Sequence, residues 1–208
     1  MHLTWAIRII EYLGIVAFAA SGALMGIRKH MDPFGVAVLG LVTSTAGGAI
    51  RDMMLGITPP SMFITPIYSF IAITVSVIMF FPVVRKEIAH SQKRFDTVMF
   101  YLDTFGLAVF AVMGVRTVTE RVPDSGLYLS LFAGFLSGCG GGILRDVLAG
   151  ETPYIFSKHI YALAAIAGAL LCALLWPLSE LGAMIAGAAA VVIIRLLSSH
   201  FRWNLPQG

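Results

Sequence analysis

The chain has 208 residues, 58% of them hydrophobic and only 12% charged, with a mean hydropathy of +0.88. That leaves too little polar surface to coat a soluble globule of this size, so the composition is that of an integral membrane protein. The net charge of +3 is spread over loops rather than gathered in a motif, which excludes nucleic acid as a partner.

Seven apolar stretches are long enough to cross a bilayer as helices, which takes about 17 to 25 residues. Their soft boundaries lie near residues 5–27, 34–56, 65–84, 98–119, 127–149, 159–177 and 180–198. No segment alternates strictly, and Ile71 to Phe81 is apolar on every side, so an all-α membrane fold is expected rather than a barrel. The first span carries Glu11. Its small residues Ala19-Ala20-Ser21 would suit a signal peptide, but an internal counterpart later in the chain places the span in the fold. Asp32-Pro33 reads as an N-cap followed by proline at the first helical position. The second span holds Thr43, Ser44 and Thr45, then Gly47-Gly48 and Arg51-Asp52, and is followed by Gly56 and Thr58-Pro59. A third span leads to a basic segment from Arg85 to Arg94. The fourth carries Asp103, and Pro123-Asp124 precedes the fifth as a second cap. The fifth holds Ser137, Gly140-Gly141-Gly142 and Arg145-Asp146, followed by Gly150 and Thr152-Pro153. Cys139 and Cys172, in the fifth and sixth spans, lack metal-ligand spacing and read as small packed hydrophobes.

One signature therefore occurs twice, as Gly47-Gly48-Ala49-Ile50-Arg51-Asp52 and Gly141-Gly142-Ile143-Leu144-Arg145-Asp146, at an offset of 94. Gly14, Phe18-Ala19 and Gly22 match Gly106, Phe110-Ala111 and Gly114 at an offset of 92; Ile67-Tyr68 pairs with Ile160-Tyr161, and Pro82 with Pro177. Residues 1–84 and 97–177 form two three-helix units, joined by a basic linker at 85–96 and followed by an unpaired seventh helix and tail at 178–208. An odd number of crossings per unit makes the repeat inverted, about an axis in the membrane plane. With Arg51 and Arg145 set aside, Lys and Arg divide nine to three between the faces, favouring the amino terminus outside and the carboxyl terminus in the cytoplasm.

Glycine costs about 1 kcal/mol against alanine inside a helix. Glycines in succession at equivalent points, each set followed by ionisable residues, are expected to break the second and fifth helices. Irregular backbone at membrane depth needs protein or a wet cavity around it; the bland alternative is close helix packing. A charge at the bilayer centre costs at least about 2.5 to 3.5 kcal/mol, so Arg51, Asp52, Arg145 and Asp146 should face such a cavity or a partner. Neighbours on one helix point about 100° apart, so inverted symmetry is expected to pair Arg51 with Asp146 and Arg145 with Asp52. Glu11 and Asp103 are equivalent acids, expected at opposite mouths of a central pathway where they draw cations. The hydroxyls of Thr43, Ser44, Thr45 and Ser137 either replace water around an ion or bond back to a carbonyl one turn earlier.

With these motifs the chain resembles the prokaryotic branch of the trimeric intracellular cation (TRIC) channel family, long labelled a glycine transporter domain. The resemblance covers nearly the whole chain and rests on the seven spans, the inverted repeats, a Gly-Gly-x-x-Arg-Asp motif in each, and the basic central loop. It implies a homotrimer whose subunits each carry a pore lined by the glycine-bearing helices and the first helix of each repeat. The permeant ion would be K+, with Na+ as a second candidate, across a cell inner membrane, with membrane lipids as neighbours and no cofactor or structural metal. Carried onto this sequence, the pore glycines are Gly47, Gly48, Gly140, Gly141 and Gly142, beside Arg51, Asp52, Arg145 and Asp146; Ala46 stands where a triple glycine would begin. The competing reading is a secondary transporter that rocks the same repeats, its arginines holding a substrate carboxylate. A membrane enzyme is disfavoured because no metal-ligand cluster or nucleophile-base arrangement appears.

Overall fold

The computed structural model describes residues 2–82, 91–157 and 160–203. Among them run α1 (His2–Arg28), α2 (Pro33–Met54), α3 (Ser61–Ile64), α4 (Ile67–Phe80), α5 (Gln92–Arg121), α6 (Gly126–Leu148), α7 (Tyr154–Ser157), α8 (Ile160–Leu175) and α9 (Glu180–His200). Helices α1, α2, α5, α6 and α9 are long and apolar enough to cross a membrane, whereas α4 and α8 are apolar but only 14 and 16 residues long. At a rise of 1.5 Å per residue those two climb about 21 and 24 Å, less than the ~30 Å of a hydrocarbon core. The expected count of seven spans thus becomes five of full length and two short ones among the described residues. The basic linker lies outside the described residues as far as position 90, and from Gln92 it is already the first turn of α5.

Helix α1 packs on α2 and α4, and α5 packs on α6 and α8 in the same way. The two sets meet through α1 against α5 and α2 against α6, while α9, which has no counterpart, lies on α8 and α5. Arg28, at the end of α1, bonds Gln92 at the start of α5, so these first helices of the two units run antiparallel. At that same end Lys29 pairs with Glu151, just past α6, at 2.6 Å; at the other end Arg116 of α5 pairs with Glu180 of α9 at 2.9 Å. Phe18 stacks on its repeat equivalent Phe110 at 5.3 Å. Equivalent residues meet only at a twofold axis, so the stack marks where that axis passes through the core.

Local chemistry sets the helix ends. Asp32 caps α2 by accepting from the Gly35 amide at 2.7 Å, with Pro33 opening the helix. Pro123-Asp124 does not act likewise: the capping position is Ser125, which makes no side-chain bond, and α6 opens through Gly126 at φ +77°. The signature helices finish alike. Gly56 (φ +71°) and Gly150 (φ +67°) take the left-handed conformation, letting the Ile57 and Glu151 amides reach back to the Asp52 and Asp146 carbonyls at 2.8 Å. An added Cβ meets nothing within 4 Å at either glycine. Gly150→Ala should therefore lower stability by the backbone cost alone, about 1–2 kcal/mol; an unchanged melting temperature would show that the loop takes another conformation without penalty.

Candidate functional site: a glycine crossing between two ionic clusters

Neither glycine-rich helix is broken. α2 runs uninterrupted from Pro33 to Met54 and α6 from Gly126 to Leu148, so the breaks expected at Gly47-Gly48 and Gly140-Gly141-Gly142 do not occur. These glycines instead let two continuous helices touch backbone to backbone. A Cβ on Gly141 would lie 2.0 Å from the Thr43 carbonyl oxygen, one on Gly47 2.5 Å from the Ser137 carbonyl oxygen, and one on Gly140 3.1 Å from Gly47 Cα. Gly47 and Gly141 are repeat equivalents in contact, so this crossing also sits on the twofold axis. Gly48 and Gly142 face elsewhere, each toward the arginine of its own unit, and Gly142 leaves room for the Tyr161 hydroxyl and the Asp103 carboxylate.

On one side of the crossing, Arg51 folds back onto its neighbour. Its Nε and Nη2 donate to Asp52 Oδ1 at 2.9 and 2.5 Å, while Asp52 Oδ2 accepts from the Ser61 amide at 2.8 Å and so holds the start of α3. Arg51 Nη1 reaches Ser137 Oγ on α6 at 3.5 Å. Nearby, Glu11 accepts from the Tyr68 hydroxyl at 2.9 Å. Glu11, Ser44, Thr45, Gly48, Arg51 and Asp52 share the wall of a cavity of about 30 Å³, space for a water or two.

The other side repeats the plan with a tighter closure. Arg145 Nε donates to Asp146 Oδ1 at 2.8 Å, and Asp146 Oδ2 accepts from the Tyr154 amide at the start of α7 at 3.0 Å. Arg145 Nη1 donates to Asp103 Oδ1 at 2.8 Å and to Ser21 Oγ of the first unit at 2.5 Å. Both Arg145 and Asp103 are 0% exposed. From α9, Arg195 approaches the same acid, with Nη2 3.9 Å from Asp103 Oδ2 and Nε 3.4 Å from Thr104 Oγ1. Its guanidinium lies over the Phe100 and Tyr161 rings at 4.8 and 5.0 Å. Arg195, Phe100 and Tyr154 also line a wide vestibule of about 1180 Å³ between the start of α5 and the end of α9.

The expected cross-repeat ion pairs are not formed: each arginine takes the aspartate beside it. The 100° between neighbours applies to Cβ directions, and a long guanidinium stem bends through it. The aspartate meanwhile is turned by its second oxygen toward the short helix that follows. What each arginine contributes between units is a bond to a serine hydroxyl, Ser137 or Ser21. Asp103 is not at a mouth but buried under Arg145, whereas Glu11 borders the small cavity. Thr43, Ser44 and Thr45 bond back to the carbonyls of Leu39, Gly40 and Leu41 at 2.6, 2.9 and 2.7 Å. Cys139 and Cys172 are buried and free.

Four participants escaped the sequence analysis. Tyr68 and Tyr161 had been matched as repeat partners without a role, and a duplicated tyrosine beside a duplicated acid was the available signal. Arg195 sits inside the apolar run Ile193-Ile194-Arg195-Leu196-Leu197 and was counted with the cytoplasmic charges, although a charge within a span is a functional signal in itself. Nothing in the sequence distinguishes Ser21.

A family profile described as "Glycine transporter" matches residues 8–83 and 100–177. Among similar proteins, a UPF0126 membrane protein of Deinococcus radiodurans is 38% identical over 201 residues, spanning 95% of this chain and 89% of the relative. The UPF0126 inner membrane protein YadS of Escherichia coli K12 is 35% identical over 203 residues, spanning 95% and 93%. Among solved structures, the TRIC trimeric intracellular cation channel orthologue from Rhodobacter sphaeroides superposes with a TM-score of 0.85 at 33% identity, covering 95% of this chain and 99% of that one. A prokaryotic TRIC channel crystallised in 0.5 M KCl superposes with a TM-score of 0.87 at 30% identity, covering 99% and 100%.

Proposed function

Because this chain belongs to the glycine transporter family and shares fold and sequence with prokaryotic TRIC channels, we propose that it is a monovalent cation channel. In this proposal three copies assemble in the cell inner membrane, amino terminus outside, each with its own K+-conducting pore. The observation that carries it is the line of ionisable groups through an otherwise apolar bundle. Glu11, Arg51 and Asp52 lie on one side of the Gly47–Gly141 contact, and Asp103, Arg145 and Asp146 on the other. Six charges are too costly to bury for packing alone, whereas a pathway needs them for most of its length. The backbone contact at the glycines marks a closed state. Opening requires α2 and α6 to part there, where the contact runs through backbone atoms of both helices.

The carrier alternative assigns a substrate carboxylate to the signature arginines, but Arg51 and Arg145 each already hold the aspartate beside them through Nε. Bilayer recording under a KCl gradient tests the proposal. The expected reversal potential is that of K+; a value near that of chloride, or well-folded protein without unitary current, defeats it. Glu11→Gln should also lower K+ conductance by about two- to threefold at low salt and much less at high salt, since a carboxylate that gathers cations is screened by added ions.

A further inference from the structure

We propose that Arg195 is a tethered cation that plugs a cation-binding site at Asp103, so that the last helix acts as the latch of the vestibule side. This rests on the channel proposal above. Asp103 Oδ2 is fully buried and has no hydrogen-bond partner among the described residues, an unusual state for a carboxylate oxygen. Its companion oxygen is bonded by Arg145, and Oδ2 lies 3.9 Å from the Arg195 guanidinium, close enough for attraction and too far for a hydrogen bond. Among the described residues, Arg195 makes one long hydrogen bond, from Nε to Thr104, and is otherwise held by the 3.9 Å contact with Asp103 and by two aromatic faces. The latch is therefore weakly fastened, and the vestibule it lines offers space into which it can withdraw.

Charge explains why a latch is needed on this side only. With its carboxylates ionised, the first cluster sets Glu11 and Asp52 against Arg51, an excess of one negative charge that attracts cations. The second sets Asp103 and Asp146 against Arg145 and Arg195, and is neutral. Without Arg195 the second cluster gains the same excess as the first. It also presents Asp103 Oδ2, Thr104 Oγ1 and the Tyr161 hydroxyl, hard oxygen donors suited to a partly dehydrated monovalent cation. Each acid meets the tyrosine of its own unit, Glu11 with Tyr68 and Asp103 with Tyr161, but α9 has no repeat counterpart and Glu11 borders the small cavity instead.

The test is single-channel recording in planar bilayers in symmetric KCl, on the purified full chain. Arg195→Gln should raise open probability at least about tenfold, and Thr104→Val, which removes the hydroxyl that accepts from Arg195 and keeps the shape, about threefold. Millimolar guanidinium added on the vestibule side should close Arg195→Gln channels again, a rescue that general loosening of the bundle would not show. Wild-type open probability in both variants, or no effect of guanidinium, overturns the latch and leaves the channel proposal standing. If Arg195→Gln does not assemble, Thr104→Val decides by the same criterion. Absence of K+ current from folded wild type and variants alike defeats the channel proposal, and the latch with it.

Discussion

Replacing Arg145 by alanine should cost about 3–5 kcal/mol, the largest loss expected from any single change in this chain. The guanidinium is wholly enclosed and serves Asp103 and Asp146 together, with a further bond to Ser21. Its removal leaves two carboxylates in the bundle with only Arg195, 3.9 Å from one of them, as compensation. Thermal unfolding of the purified protein in detergent measures the effect. Arg51→Ala is the internal comparison: Arg51 borders the small cavity, so water can reach the abandoned Asp52, and the loss should be clearly smaller. Adding Asp103→Asn to Arg145→Ala should recover part of the stability by removing one stranded charge. Equal losses at the two arginines, or no recovery in the double variant, would contradict the enclosed second cluster.

Two glycines from the same duplicated signature should respond to alanine with opposite signs. Gly141→Ala places a methyl group 2.0 Å from the Thr43 carbonyl oxygen, which belongs to the main chain of α2 and cannot swing aside. The helices must move apart, at a cost of about 1–3 kcal/mol. Gly48→Ala meets nothing nearer than Arg51 Nη2 at 3.7 Å, the end of a flexible side chain. Its helix becomes intrinsically better by about 1 kcal/mol, so the variant should match or exceed wild type in melting temperature. Destabilisation by both substitutions to the same degree would mean that the glycines act through backbone flexibility, as breaks would, rather than through contact at the crossing. The same pair bears on conduction, because a closed state held by the Gly47–Gly141 contact should be disturbed by Gly141→Ala and left alone by Gly48→Ala.

Much of this site was legible from the chain. The duplicated Arg-Asp pair inside apolar runs pointed to both ionic clusters, and the offsets identified Phe18 with Phe110 and Gly47 with Gly141 as equivalents, which the structure brings into contact on the twofold axis. The Asp32-Pro33 cap was equally direct, because its partner, Gly35, lies within one turn. The differences have separate causes. Consecutive glycines lower the cost of a broken helix and of a close helix crossing alike, so Gly140-Gly141-Gly142 could not discriminate between them. The partner of Arg145 depended on how a long side chain bends and on where Tyr154 draws Asp146. Arg195 was misplaced because a sum of loop charges takes no account of depth.

By itself the amino-acid sequence determined a helical membrane protein of two related halves with charges placed at equivalent depths. Apolar run length, repeat offset and near-neighbour capping are properties of the chain read locally. Only the tertiary structure decided that α2 and α6 stay continuous and touch, that each arginine keeps its own aspartate, and that α9 packs against the second unit. Those outcomes are settled by distances of a few ångströms between segments far apart in the chain. The space a missing Cβ leaves, and the reach of a guanidinium, take effect only once the helices have been brought together.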